Sequence, residues 1–570
     1  MDPLSNSRQR FRAAFAGAGA CLLFTFSFFS RIDQPIGADE LNWLVAATNQ
    51  IKTGFPTLFL APHVANVCSP HLYLKLLTSA FQILGPGEAT ARLIGLFCGF
   101  ASLMLTAFIT HQLVKKAAPV SNPLLVFLPP VLLAVTPAFI QGSLILDIDN
   151  TLMISAILFL VYLFYRLENE SPPTYFGVLA GTTALSLWMR ITTPPLVCAA
   201  SLIFLYVNPQ LSIKTKLKAT SAVLLGALLF IVTWYGYTHV KHLNFYSPFE
   251  YTLSVFSVRT QSSGGFHPAA YFQSVVQVLL WFGIFPCFLF AYAAIKRSRD
   301  FFLKPILFRE DIFLVVGLFM VVGYSFVGGT PFGFPKYEMP GLPLLIIYLC
   351  YFLPERNRLT TSSILLITVF SMIIQIFVLG DLLYLVRYEL RNLASQGLSG
   401  AIFLKTHLPQ IAAGLTGYFL IFLFGQRKGL GLAATVLFIG LGSNLGMDWH
   451  QNHDGYQTGY SYGTRGARET AAFLKSHVSA NASILVPHEI VYYTALLRPV
   501  YIHDRVWNNP EALLTKLQDP GTEAFVYSLA FNTLHQIQTY ETDSPLRAFL
   551  KLNFDRKEIG NYTVWLRRLH

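Results

Sequence analysis

Asp39 and Glu40 stand side by side just past the first hydrophobic stretch of the chain (11–30), at the head of a polar segment over 31–87. A second acidic pair, Asp147 and Asp149, occupies a short connection, 141–150, between two further hydrophobic stretches. Carboxylates held at a bilayer surface are costly to keep there and usually serve a function. Two such sites, distant in sequence but on the same side of a membrane, can converge over one cavity. General-base work suits them: deprotonating an acceptor hydroxyl or amine while a sugar leaves a lipid phosphate. A blander role competes, because each acid can cap a helix N-terminus. Asp149 stands just before Thr151-Leu152-Met153, where a cap is reasonable.

These acids need a frame, and the composition describes one. The chain has 570 residues, 54% hydrophobic and 12% charged, with a mean hydropathy of +0.50. A soluble domain carries about 25% charged residues, and only polytopic membrane proteins repeat apolar runs of about 20 residues along most of the chain. The pattern gives a polytopic α-helical membrane protein with about thirteen transmembrane helices. They fall at 11–30, 89–113, 123–141, 149–165, 174–190, 194–210, 219–239, 271–295, 311–328, 340–354, 362–385, 409–425 and 429–446. The net charge of +12 invites a nucleic-acid partner, but its placement argues against one. Arg8, Arg10 and Arg12 precede the first span. Lys115–Lys116, Arg166, Lys214, Lys216, Lys218, Lys296, Arg297, Arg299, Arg356, Arg358, Arg427 and Lys428 then fall in every second connection. The intervening connections 142–148 and 329–339 are almost free of basic residues. That alternation is the positive-inside pattern. It places the N-terminus in the cytoplasm and, with an odd number of spans, the C-terminal segment outside.

Within the transmembrane module (1–446), the outer loop 31–87 holds two amphipathic stretches, 40–52 and 71–84, expected to lie at the interface and roof a cavity. Leu41, Leu44, Val45 and Thr48 share one helical face. The 447–570 segment has the composition of a soluble α/β domain, extracytoplasmic by this topology, after a polar linker over 444–464. Helices are expected at 465–477, 489–497 and 510–517, with strands at 483–487, 501–503 and 524–528. A hairpin joins 554–559 to 562–566 through Gly560–Asn561. Five of the six cysteines lie within spans, so no disulfide framework is expected. The first span follows a basic leader without a convincing cleavage site and reads as a retained anchor. There is no P-loop GxxxxGK[ST] and no GxSxG followed by plausible triad partners, which argues against cytosolic nucleotide chemistry.

The order of motifs resembles the GT-C membrane glycosyltransferases, nearest the protein O-mannosyltransferase and lipid A aminoarabinose transferase branches. Asp39-Glu40 follows a first span; Ser69-Pro70-His71-Leu72-Tyr73 and Leu84-Gly85-Pro86-Gly87-Glu88 leading to Arg92 come next. Thr136-Pro137-Ala138-Phe139 then runs to Asp147 and Asp149, and a weaker match is Pro335-Lys336-Tyr337-Glu338-Met339-Pro340. The match covers the first 150 residues well and the later spans loosely.

The resemblance implies transfer of a sugar from a polyprenyl-phosphate donor to a glycan, lipid or protein acceptor on the outer face. Asp39 is then the general base, with Glu40 beside it, and Asp147, or alternatively Asp149, fills the second acidic position. An inverting displacement needs a base and stabilisation of the leaving phosphate, which Arg or Lys supplies without a metal. Outer-side candidates for the donor phosphate are Lys52, Lys75, Arg92, Arg190, Arg259 and Lys336, the last with Tyr337. Snorkelling to headgroups is the bland role for Arg190, and holding the loop to the helix end that for Arg92. One departure stands out: the aminoarabinose branch has Glu-Lys before its Pro-Pro pair, the Glu being a metal ligand. Here Cys68–Ser69 take those places and His71 replaces the second proline. No cofactor is therefore expected, although His63, His71, His242 and His267 leave a divalent cation open. A bacterial inner membrane is the expected location. The rival readings are a transporter or flippase of lipid-linked sugars and an inactive scaffold of envelope glycan assembly.

Overall fold

A computed structural model of the chain describes residues 3–58, 65–117, 124–148, 151–253, 275, 278–279, 281–326, 335–355, 366–367, 369–371, 466–494, 498–501, 509–528, 544–560 and 562–568. The expected spans 409–425 and 429–446, most of 362–385 and the linker 444–464 lie outside these residues, as do Asp149, His63, Arg259 and His267.

Helix α1 (Pro3–Phe29) leads to two helices of the first loop, α2 (Ala38–Thr53) and α3 (Leu72–Leu84). Then come α4 (Glu88–Ala117), α5 (Leu124–Ala134), α6 (Pro137–Leu144), α7 (Thr151–Arg166), α8 (Pro173–Met189), α9 (Thr193–Val207) and α10 (Ile213–Val240). After these follow α11 (Ile284–Leu303), α12 (Asp311–Phe326) and α13 (Gly341–Glu355). Among the described residues, α4 and α10 are each long and apolar enough to cross a membrane, and α5 with α6 makes a third span if the bent pair counts as one. Shorter apolar helices include α7, α9 and α12.

The expectation of one continuous span over 123–141 is corrected. The helix stops at Ala134 and restarts at Pro137, with a bend of 54° between its halves. Proline has no N–H to continue the ladder and pushes its predecessor out of the α region; Thr136 is accordingly extended (φ −78, ψ 124). The bend matters because α6 is buried at every residue and delivers the chain to the acidic connection that follows.

α4 runs through the centre, packed against α1, α5, α7 and α13. The short span expected at 340–354 is α13, and its side chains from Leu342 to Leu349 are all buried. A helix covered by protein on all sides need not match the bilayer thickness. On the side rich in basic residues, Arg297 Nε donates to Asp311 Oδ1 (2.8 Å), and the Tyr348 hydroxyl donates to the same oxygen (3.2 Å). This buried pair is tolerated because each charge has its partner, and it ties α11, α12 and α13 together.

The C-terminal residues form a five-stranded sheet in the order β2-β1-β3-β5-β4. The strands are β1 (Ser483–Val486), β2 (Arg498–Tyr501), β3 (Thr522–Ser528), β4 (Phe554–Ile559) and β5 (Tyr562–Arg567). β1 pairs parallel with β2 and β3, whereas β5 is antiparallel to β3 and β4. Strand side chains alternate between faces. Ile484, Val486, Ala524 and Val526 therefore meet α14 (Ala467–His477) and α15 (His488–Tyr493). Leu485, Phe525 and Tyr527 meet α16 (Pro510–Gln518) and α17 (Pro545–Asn553). The expected helix over 489–497 ends at Tyr493, the strand expected at 501–503 is β2, which starts three residues earlier, and α17 was not foreseen.

Candidate active site

Glu40 shows how the first acidic pair is built in. α2 begins after Gly37, which has no side chain with which to cap the helix. Glu40, the third residue of the helix, reaches back instead, and its Oε2 accepts the Gly37 N–H, half of a capping box. Its Oε1 accepts the N–H of Leu146 (3.0 Å), 106 residues away in sequence. One buried carboxylate thus joins the start of α2 to the second acidic connection. Asp39 is the second residue of α2, so its backbone sits at this junction; its side chain lies outside the described part of the structure.

Asp147 follows Leu146 and is itself buried, its Oδ2 2.8 Å from the Lys336 ammonium. Lys336 also lies over the ring of Tyr337 (5.3 Å to the centroid), whose face the Arg190 guanidinium approaches at 4.7 Å. Tyr337 stacks in turn on Tyr324 (5.5 Å), and the Tyr324 hydroxyl shares a hydrogen bond with Thr193 Oγ1 (2.9 Å). Arg190 ends α8 and donates through Nε to Thr192 Oγ1 (2.5 Å), with the Asp147 charge within reach. Four separate segments therefore deliver an acid, two cations and a tyrosine pair to one buried place. Tyr73 at the start of α3 is buried beside Glu40 and Asp147 and makes an edge contact with Trp43 (5.2 Å).

Arg92 stands apart from this group. It is fully buried, donates through Nε to Leu144 O (3.2 Å) and through Nη1 to Ile32 O, and so braces the loop against α4 and α6. His71 is spoken for as well: its Nε2 faces the carbonyl of Asn66 (2.7 Å) and must donate, while Nδ1 meets the Tyr237 hydroxyl (3.0 Å). Burial pulls its pKa down to about 4, so the ring is neutral at pH 7 and locks the loop to α10. The Cys68 thiol donates to Asn66 Oδ1 (3.0 Å). Among the described residues, no three His, Cys, Asp or Glu side chains gather as a cation set. With Cys68 and Ser69 in place of Glu-Lys, these residues do not fit the metal site of the aminoarabinose branch.

Comparison with solved structures bears on the whole arrangement. Two structures of ArnT from Cupriavidus metallidurans match over 97% of both chains, one bound to undecaprenyl phosphate (TM-score 0.63, 12% identity) and one in the apo state (TM-score 0.58, 14% identity). The chain has the fold of ArnT. No family model and no curated protein sequence matches, so the likeness is carried by backbone shape rather than by residue identity. The GT-C resemblance read from motif order is thereby supported at the level of fold, and the chain is mostly helical, as expected.

The structure also shows which residues the sequence did not flag. Tyr324 sits in an apolar span with nothing local to mark it, and Thr192 and Thr193 read only as a helix start. Gly95 is the clearest omission. A Cβ there would lie 1.8 Å from the carbonyl oxygen of Ser143, so only glycine lets α4 approach the end of α6. Gly95→Ala is expected to push 143–147 away from Glu40 and to reduce turnover about 10²-fold, measured per mole of folded protein.

Glu40 makes a prediction in pH. Burial pushes its pKa up to about 7, against the lowering effect of Arg92 and the two N–H donors. The folded state thus binds more protons than the unfolded one between the ordinary value of 4.5 and about 7. This contribution to stability is fully present below 4.5 and is lost as pH rises through 7. Turnover is expected to move the other way, because only the ionised group offers a full acceptor at each oxygen. Glu40→Gln turns one of those oxygens into a donor facing an N–H. A pH–rate profile that keeps its rise near 7 in Glu40→Gln would show that another group titrates there.

Proposed function

We propose that the chain is a polyprenyl-phosphate-sugar-dependent glycosyltransferase that acts at the outer face of a bacterial inner membrane. The observation that carries this reading is the junction of Glu40 with Leu146, which ties the turn of α2 that includes Asp39 to the residue before Asp147, itself paired with Lys336 next to the Arg190–Tyr337 contact. A base next to a buried, cation-lined place is what an inverting displacement from a lipid phosphate requires. The ArnT fold agrees with it, and ArnT itself is bound to undecaprenyl phosphate in one of the matching structures.

In this mechanism the lipid tail lies between helices and the phosphosugar reaches Arg190 and Lys336. Tyr337 carries the guanidinium over its ring, 4.7 Å from the centroid, which restrains where Arg190 can point. An ammonium has three donors, so Lys336 can hold Asp147 and a phosphate oxygen together. Asp39 takes the proton of the acceptor hydroxyl or amine as its oxygen or nitrogen attacks the anomeric carbon. The bond to the phosphate breaks on the opposite side, and the two cations stabilise the charge that the leaving group gains. The scheme takes the chain as crossing the membrane about thirteen times, with the C-terminal domain outside, as its charge pattern implies.

Purified protein in lipid vesicles, offered a panel of radiolabelled polyprenyl-phosphate sugars with and without a chelator, tests the reading. Turnover of one donor establishes the class and names the sugar. Transport of a donor across the bilayer without sugar release would put a flippase in its place, and failure to bind any donor would overturn the reading.

A further inference from the structure

Resting on that reading, we propose that the C-terminal domain is a working part of the active site, through a clasp of Glu88, Arg468 and Tyr493 that sets the position of Asp39. Glu88 is the first residue of α4. One of its oxygens accepts the Tyr493 hydroxyl (3.1 Å) and the other the Arg468 guanidinium (2.5 Å). Both donors come from helices of the C-terminal domain, yet both also grip the backbone of the first loop. The Tyr493 oxygen accepts the N–H of Ile36 (3.1 Å), and Arg468 Nη1 donates to the carbonyl of Asp33 (2.9 Å). Tyr493 packs at the same time against the transmembrane core.

The location gives the clasp its consequence. Residues 34–37 have no regular structure, so no helix or sheet ladder fixes their path. Ile36 is fully buried, and a buried N–H without an acceptor is costly. Its acceptor is a hydroxyl 457 residues away. Arg92, one turn along α4 from Glu88, holds the carbonyl of Ile32 from the other side. The N-terminal end of α4 thus anchors the segment once through its own domain and once through the C-terminal one. Three residues after Ile36 the chain reaches Asp39. Arg468, Tyr493 and Glu88 touch no reacting atom in this arrangement; they are positioning residues for the base.

The test uses the full chain in lipid nanodiscs and reads two quantities. Hydrogen–deuterium exchange is followed at 33–42, with β3 (522–528) as the reference for an intact domain. Tyr493→Phe removes both a donor to Glu88 and the acceptor of Ile36, and Glu88→Gln weakens the same clasp from outside the domain. Both variants are expected to speed exchange at 33–42 about tenfold while 522–528 stays slow. With the donor found active in vesicles, kcat falls and KM for that donor stays, because the clasp serves the base and not the phosphate. Unchanged exchange at 33–42 in both variants overturns the clasp. So does faster exchange with kcat unaltered, or a rise in KM alone. If Tyr493→Phe loosens β3 as well, Glu88→Gln decides. A wild-type protein that turns over no donor defeats the glycosyltransferase reading, and the exchange data then still decide whether the clasp exists.

Discussion

Asparagine in place of Asp39 is expected to lower transfer about 10²–10⁴-fold, the range a positioned general base contributes, while donor binding stays unchanged. The side chain changes little in size, and losing a carboxylate in the first turn of a helix costs only about 0.3–1 kcal/mol, so α2 should still start at Ala38. What is lost is the lone pair that accepts the acceptor's proton. Glu40 is poorly placed to replace it, because both of its oxygens already accept backbone N–H groups. The effect should therefore fall on kcat and persist as the acceptor concentration is raised. Measurement of donor binding to the variant in vesicles separates this from misfolding. Full transfer by Asp39→Asn would remove the base from the mechanism and leave Asp147 as the acid to examine.

Why the acidic positions stand out in the sequence, and what packs around Glu40 and Asp147 does not, follows from the range of each signal. Hydropathy is a local property, so α4, α10 and the sheet of the C-terminal domain can be read from short windows. The start of α17 was also written locally: Ser544 caps it, with Pro545 at its first position, and Leu546 and Leu550 share its buried face. It escaped because β4 follows without a gap, so the helical period had only nine residues in which to show. The break at Pro137 had a local cause too, but a long apolar run masked it. The acids were conspicuous because they sit at the ends of apolar spans. Nothing local tells that Lys336 lies against Asp147, 189 residues earlier, rather than against lipid headgroups. Pairings of that kind are set by how helices pack, as is the 1.8 Å that excludes any side chain at Gly95. Arg92 illustrates the opposite limit: its residue type suits a phosphate, and only its two carbonyl partners identify it as a brace.

Lys336→Met is expected to cost stability and turnover together, and a second substitution should separate them. Removing one member of a buried ion pair leaves the other charge in a poorly solvating place, at a cost of about 3–5 kcal/mol. Asp147 is 6% exposed and Lys336 5%, so the pair is on the buried side of that distinction. Arg190, whose guanidinium Tyr337 and Thr192 hold, keeps the Asp147 charge within reach, so the cost is expected toward the lower end of that range. In the double variant Asp147→Asn/Lys336→Met no charge is stranded, and replacing both members of a buried pair is often neutral. Its unfolding midpoint should return toward wild type. Turnover should not, because the phosphate has lost its ammonium whether or not the fold has recovered. Arg190→Lys adds the complementary control: the charge remains, but the planar fork of donors that binds an oxyanion at two points is gone, and KM for the donor should rise with stability nearly unchanged. If the double variant regained turnover along with stability, Lys336 would serve only to neutralise Asp147. The leaving phosphate would then rest on Arg190 alone.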